Sequence, residues 1–210
     1  SVAMTLPTAD GSSGQILSTN GSGTLSWTAN SGSGASSITG LSDGLVENNS
    51  IFIGNDPSST TNAASYNTGL GVTALTAITT GDDNTALGYD ALGTLTSGAA
   101  NTALGSNTLR LTTSGNYNTA VGYAALKANT TGTRNIAIGL GALDLPDTEN
   151  DNLAIGYDAL GGAIAGGEYN VAIGNYSMDA LTSGDKNTGV GYAALSANTT
   201  GDNNNAYGYE

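Results

Sequence analysis

Asn84-Thr85-Ala86-Leu87-Gly88 returns along the chain with a nearly constant step. It recurs as Asn101-Thr102-Ala103-Leu104-Gly105, Asn118-Thr119-Ala120-Val121-Gly122, Asn135-Ile136-Ala137-Ile138-Gly139, Asn152-Leu153-Ala154-Ile155-Gly156, Asn170-Val171-Ala172-Ile173-Gly174 and Asn187-Thr188-Gly189-Val190-Gly191. Looser copies are Asn67-Thr68-Gly69-Leu70-Gly71 and Asn204-Asn205-Ala206-Tyr207-Gly208, and Ser50-Ile51-Phe52-Ile53-Gly54 is a degenerate first copy. The closing glycines are 17 residues apart, except that 18 separate Gly156 from Gly174. Four residues after each closing glycine from Gly71 to Gly191 stands Leu75, Leu92, Leu109, Leu126, Leu143, Leu160, Met178 or Leu195. Ten residues after it stands Gly81, Gly98, Gly115, Gly132, Gly184 or Gly201; Glu149 breaks that column in the coil that also carries Pro146. The extra residue of the 18-step falls within 161–167.

A short fixed period is the signature of a solenoid, in which one repeat cannot bury its apolar side alone. Seventeen residues are too few for a helix pair, and Val, Ile and Thr favour a pleated surface. The expectation is an all-β chain: a parallel β-solenoid of about ten coils with two short strands and two turns each, on the order of 48 Å long. A glycine at fixed phase implies positive φ or close approach of neighbouring chain. A column of Asn can bond from rung to rung.

Within the motif, residues two and four (Thr85, Leu87) face one way and Ala86 and Gly88 the other. In one reading the aliphatics fill a narrow roll and the smooth face meets solvent. The reading adopted has both faces buried, one inside the coil and one against a partner chain. Ala86, Ala103, Ala120, Ala137, Ala154, Ala172 and Gly189 are then candidates for close contact in a parallel homotrimer. Exchanging the two faces leaves the trimer unchanged.

Outward from the repeat, residues 1–29 form a separate unit. Gln15–Thr19 and Thr24–Thr28 read as strands around the Asn20-Gly21 turn, and Trp27 is its packing contact. Residues 30–37 are a linker by composition. Residues 38–61 are the solenoid cap, in which Leu41, Leu45 and Val46 fit one helical turn or a first strand. Residues 62–210 are the coils. The sequence starts at Ser1 and stops inside a repeat at Glu210. An open coil edge is an aggregation hazard, so the expectation is a cut or a continuing chain.

Composition narrows function. The 210 residues include 32 Gly, no Cys and no His, and carry a net charge of −13 with only four basic residues. Nucleic acid, which demands clustered Lys and Arg, is not an expected partner. No apolar run reaches the length of a membrane span. Without His or Cys, imidazole- or thiol-based nucleophile arrangements and imidazole or thiolate metal ligation are excluded. Glu168, Asp185 and Asp202 share a column two residues before the motif Asn. Stacking would set them roughly 5 Å apart, near the separation in a retaining glycosidase. The column falls in a Gly-rich turn, and the reading kept is solvated acids whose spacing falls out of the repeat. Asp90 and Asp158 share another column four coils apart, too far to cooperate. Tyr89, Tyr123, Tyr157, Tyr192 and Tyr209 follow closing glycines, and Tyr66, Tyr117 and Tyr169 precede motif Asn residues. These ladders read as packing rather than as a sugar-binding stripe. No catalytic residue, cofactor or metal ligand is expected.

The coils Asn118–Leu126 and Asn129-Thr130-Thr131-Gly132 resemble repeats in long fibres of tailed bacteriophages, particularly marine cyanophages. The lead-in Leu6–Leu17, continuing to Leu25-Ser26-Trp27, and the segment Leu45–Pro57 resemble segments of the same fibres. The Asn-x-Ala-aliphatic-Gly core is also similar to head repeats of YadA-type trimeric autotransporter adhesins, whose shorter coils form a trimeric left-handed β-roll. The resemblance spans nearly the whole chain. It implies a structural fibre segment of a phage virion appendage that supports host attachment, extracellular and homotrimeric, with any host glycan or receptor bound through another segment. The alternative is a bacterial surface adhesin or extracellular filament; a solenoid polysaccharide depolymerase ranks third.

Overall fold

A computed structural model describes residues 6–8, 12, 15–22, 24–29, 44–54, 63–146 and 148–210. The expected linker and parts of the cap, residues 38–43 and 55–61, lie outside the described residues. The chain divides into two compact units, 1–42 and 43–210. In the first, β1 (Gln15–Thr19) pairs antiparallel with β2 (Leu25–Ala29). Asn20 Oδ1 accepts the backbone N–H groups of Ser22 and Thr24, and Gly21 takes φ of 75°, so the turn forms where the Asn-Gly signal places it.

The second unit is an all-β parallel solenoid. It opens with β3 (Gly44–Glu47), antiparallel to β4 (Ser50–Ile53). Leu45 and Val46 therefore lie on a strand rather than a helical turn. Parallel strands follow at one per coil: β5 (Thr68–Leu70), β6 (Thr85–Leu87), β7 (Thr102–Leu104), β8 (Thr119–Val121), β9 (Ile136–Ile138), β10 (Leu153–Ile155), β11 (Val171–Ile173), β12 (Thr188–Val190) and β13 (Asn205–Tyr207). All belong to one sheet in sequence order, with motif paired on motif. Ten stacked strands make nine coil-to-coil steps.

Each repeating coil holds a single three-residue strand, not two. The remainder is turn, because three positions per coil adopt left-handed backbone, one of them two residues after the closing glycine, from Thr73 to Ala193 with Gly141 in the same column. The leucine column from Leu75 to Leu195, with Met178, has φ between 48° and 57°. The residue before each motif Asn, from Tyr66 to Asn203, has φ between 56° and 61°. Left-handed residues reverse the chain and prevent a second extended segment. The motif Asn itself is not left-handed; its predecessor is.

Three interior columns hold the stack. The first is the asparagine ladder. Asn118 N–H and Nδ2 donate to Asn101 Oδ1 at 3.0 and 3.1 Å, and Nδ2 also reaches across the coil to Gly132 O at 2.9 Å. The amide N–H of each motif Asn bonds the previous Asn Oδ1 from Asn84 to Asn204, and Ser50 Oγ supplies the first acceptor, to Asn67. The second column is leucine, fully buried from Leu75 to Leu160 and continued by Met178. The third is glycine. The closing glycines from Gly71 to Gly208 take φ between 127° and 140°, and a Cβ on Gly122 would stand 2.5 Å from Gly139 O. That combination of conformation and contact admits no side chain.

The interior reverses the face assignment adopted from sequence. Ala86, Ala103, Ala120, Ala137, Ala154 and Ala172 are fully buried inside their own coil, not between chains. The aliphatic positions point outward: Leu87 is 45% exposed and Ile138 38%. The reason is thickness. A 17-residue coil is thin, and large side chains entering from the opposite turns, Leu92 and Leu95 in one coil and Met178 and Leu181 in another, occupy its interior. The strand must then offer Ala or Gly inward. Where the leucine column has not yet begun, the core is filled by Phe52, whose ring lies 3.0 Å from where a Cβ on Gly69 would be. The extra residue of the long coil also resolves. Ile164 is buried at the level of Leu181, and Ala165 N–H bonds Thr182 O. The insertion is therefore absorbed among Gly161, Gly162 and Ala163.

Two substitutions two residues apart separate ladder from turn. Asn118→Asp removes both Nδ2 donors and buries a carboxylate, so a loss of several kcal/mol is expected. Asn116→Asp keeps its accepting oxygen and changes stability by no more than about 0.5 kcal/mol. Thermal denaturation followed by circular dichroism checks the contrast; equal midpoints would refute the ladder. Leu126→Ala is expected to cost about 2–5 kcal/mol in the same measurement.

Candidate functional site

The acidic column is the one arrangement with catalytic spacing, and its oxygens are engaged in structure. Asp185 Oδ1 accepts Glu168 N–H at 2.9 Å, and Asp202 Oδ1 accepts Asp185 N–H at 2.8 Å. Asp82, Asn116 and Asn150 do the same for Ser65, Ala99 and Thr133. Glu168 Oε1 takes a bond from Asn150 Nδ2. An acceptor oxygen here satisfies a turn N–H of the preceding coil, and Asp and Asn serve alike. The column thus carries a second, outer ladder, more than the solvated row expected from sequence. Among the described residues, no group of three or more His, Cys, Asp or Glu could hold a metal ion. No helix of the described residues is long and apolar enough to cross a membrane.

Asp90 and Asp158, one column in the sequence, meet different neighbours. Asp90 pairs with Arg110 of the following coil. Asp158 instead faces acids on both sides, Asp144 and Asp179. Burial first, then the Asp158 charge, holds the Asp144 carboxyl above its ordinary value. Burial also raises Asp179, against an opposing backbone hydrogen bond. Arg134 clamps Asp151 through two bonds of 2.6 and 2.7 Å, and this hydrogen bonding lowers the half-buried Asp151 carboxyl.

The tyrosines following the closing glycines make a ladder in the last coils. Tyr157 and Tyr176 meet edge-on at 5.2 Å, Tyr176 and Tyr192 edge-on at 5.8 Å, and Tyr192 and Tyr209 stack at 5.2 Å. Tyr176 joins although it lies two residues after its glycine rather than one, so a search at fixed phase passes over it. The rings take up one another's edges and faces, which is packing.

The outward face of the sheet is a uniform surface. Its two columns run Ile51, Thr68, Thr85, Thr102, Thr119, Ile136, Leu153, Val171, Thr188, Asn205 and Ile53, Leu70, Leu87, Leu104, Val121, Ile138, Ile155, Ile173, Val190, Tyr207. None is charged, in a chain of net charge −13. Sequence reasoning sent these side chains inward. Their signal was the alternation itself, once the leucine column is recognised as the filler.

Comparison with known protein families, with curated proteins and with solved structures finds no match to this chain.

The crowded acids yield a pH dependence. A carboxyl whose folded pKa is raised favours the protonated fold. Its stabilising contribution is complete below the unfolded pKa and lost as pH rises through the folded one. At neutral pH the ionised Asp144 therefore weakens the fold. Asp144→Asn is expected to raise the melting temperature at pH 7, with the gain vanishing below about pH 3.9. Melting curves across that range check it; a gain independent of pH would remove the carboxylate from the explanation.

Proposed function

We propose that this chain is a non-catalytic structural segment of an extracellular fibre, of the kind that forms attachment appendages of tailed phages, and that it works as three parallel copies. The observation that carries the reading is the uncharged outward face. Contiguous exposed apolar surface on this scale marks an interface. Two outward side chains on each of ten strands make twenty residues, at the scale of about 20–30 a side in stable protein interfaces. The partner best fitted to it is a second copy of the chain. A copy has the same rise per coil, so its rows stay level with these rows over the whole sheet; a partner of another period would lose step within a few rungs. Like-charged copies also repel less along an uncharged face than along the acidic turns.

The threefold count and the virion setting come from the likeness of the repeats and lead-in segments to phage fibres. Three copies carry roughly −39, held in turn columns facing outward where salt screens it. The face assignment changes from the sequence reading: the aliphatic columns, not the alanines, approach the axis. Host glycan or receptor binding is assigned to another segment. A bacterial surface adhesin is the second reading, favoured by the Asn-x-Ala-aliphatic-Gly core that the two groups share.

Sedimentation or native mass measurement of the purified chain at micromolar concentration is expected to find trimers. Ile138→Asp should yield folded monomers, since its site is outside the core but would bury an unpaired charge on assembly. A monomeric wild type defeats the proposal, and an Ile138→Asp protein that still forms full-stability trimers defeats the face assignment. Antibodies to the chain that label bacterial envelopes and no phage appendage would replace the virion by the adhesin.

A further inference from the structure

A face built of identical rungs has a weakness: it fits its partner in several axial registers. In a repeat, sliding one copy by one coil, about 4.8 Å, sets every motif opposite another motif. Over most of this sheet such a slip changes little, because the rungs β5 to β8 and β12 all carry Thr followed by Leu or Val on the outside. Three consecutive rungs differ. In β9, β10 and β11 the first outward position is Ile136, Leu153 and Val171, each followed by isoleucine at Ile138, Ile155 and Ile173. Only here among β5 to β13 are both columns aliphatic, and the block has Thr119 just before it and Thr188 just after it in the same column.

We propose that this six-residue aliphatic block holds the copies together and sets their axial register. The inference rests on the self-association proposed above. With the blocks level, each aliphatic rung meets aliphatic rungs. A one-coil slip brings Ile136 to the level of Thr119 and Val171 to the level of Thr188 on a neighbouring copy. Each mismatch removes an apolar contact and desolvates a hydroxyl against a hydrocarbon. The unslipped register has neither penalty. Specificity thus arises from a contrast within the repeat, as a difference in free energy between competing pairings. The fold itself does not require the block. Threonine occupies the same strand position in β5 to β8 and β12, and these side chains do not enter the coil interior. Selection for the coil alone does not account for three successive aliphatics at a position that is threonine in β5 to β8 and β12.

The test uses the full chain, which has no native cysteine. Thr102→Cys and Thr119→Cys are introduced in separate, co-expressed copies so that each chain carries a single cysteine, the protein is oxidised, and the disulfide-linked peptides, all of them necessarily between copies, are identified by mass spectrometry. Disulfide geometry requires Cβ atoms about 3.5–4.5 Å apart, so links resolve a one-rung slip. The expected result is links between copies joining 102 to 102 and 119 to 119, with none joining 102 to 119. The same cysteines are then placed in Ile136→Thr/Leu153→Thr/Val171→Thr, with folding confirmed by circular dichroism. Mixed 102–119 links rising to a comparable share, or a folded protein that has become monomeric at micromolar concentration, is the expected outcome. If the triple variant does not fold, Leu153→Thr alone is read in the same two ways. Same-residue links only in the variant would overturn the register role and leave the assembly standing. So would mixed links in the parent protein, or an assembled parent that forms no link at these positions. A parent that does not self-associate would overturn the assembly and this inference with it.

Discussion

The hydrogen bond from one asparagine to the next is the interaction on which the solenoid depends. Each motif Asn from Asn67 to Asn187 is buried, and a buried primary amide must satisfy its donors and acceptor within the protein. Here the side-chain oxygen accepts from the backbone and side chain of the next rung, while the amide nitrogen spans the coil to a glycine-column carbonyl, as Asn101 does to Gly115 O. One side chain thereby joins coil to coil and strand to turn. The arrangement tolerates neither a shift of register nor a change in coil thickness. The 18-residue coil shows this. Asn170 still bonds Asn152, because the extra residue is taken up in the loop before Ile164 and not between ladder and strand.

From that constraint the remaining columns follow. The cross-coil bond fixes the thickness, and the thin interior is filled from the turns, by the leucine column in every coil and by a second side chain such as Leu95 or Leu181 in some. The leucine arrives on left-handed backbone, an uncommon conformation for a side chain of that size, retained because its side chain fills the core. Alanine or glycine must face it. Closing glycines let consecutive turns approach backbone to backbone, and the outer acceptors such as Asn116 and Asp185 satisfy the turn N–H groups left over. Glu149 stands in a glycine position and is still buried; its carboxylate accepts N–H groups of Thr148 and Gly166 in the irregular coils.

A coil packed this way spends its small residues on its own interior, which leaves the bulkier strand residues outside. That reversal converts a structural requirement into a functional opportunity. A self-supporting stack leaves an uncharged face of threonine and aliphatic side chains on the outside of its sheet while its acids gather in the turns. Asp158 between Asp144 and Asp179 marks the cost of that gathering.

The sequence by itself determined the fold class, the period, the motif register, the asparagine ladder and the need for glycine, because each leaves a mark at fixed spacing. Lack of His and Cys likewise bounded the chemistry before any coordinates. What it did not determine was direction. Alternation in Thr85-Ala86-Leu87 separates two faces but is symmetric between inside and outside, and only the coil's thickness, set by Leu92 and its neighbours across the interior, breaks that symmetry. The same is true of the carboxylate column. Spacing places Asp185 and Asp202 near one another, whereas their use as acceptors for rung N–H groups depends on left-handed turns that no local pattern announces. Tertiary packing decided both, because a side chain's role here is set by what stands one coil away, 17 residues along the chain.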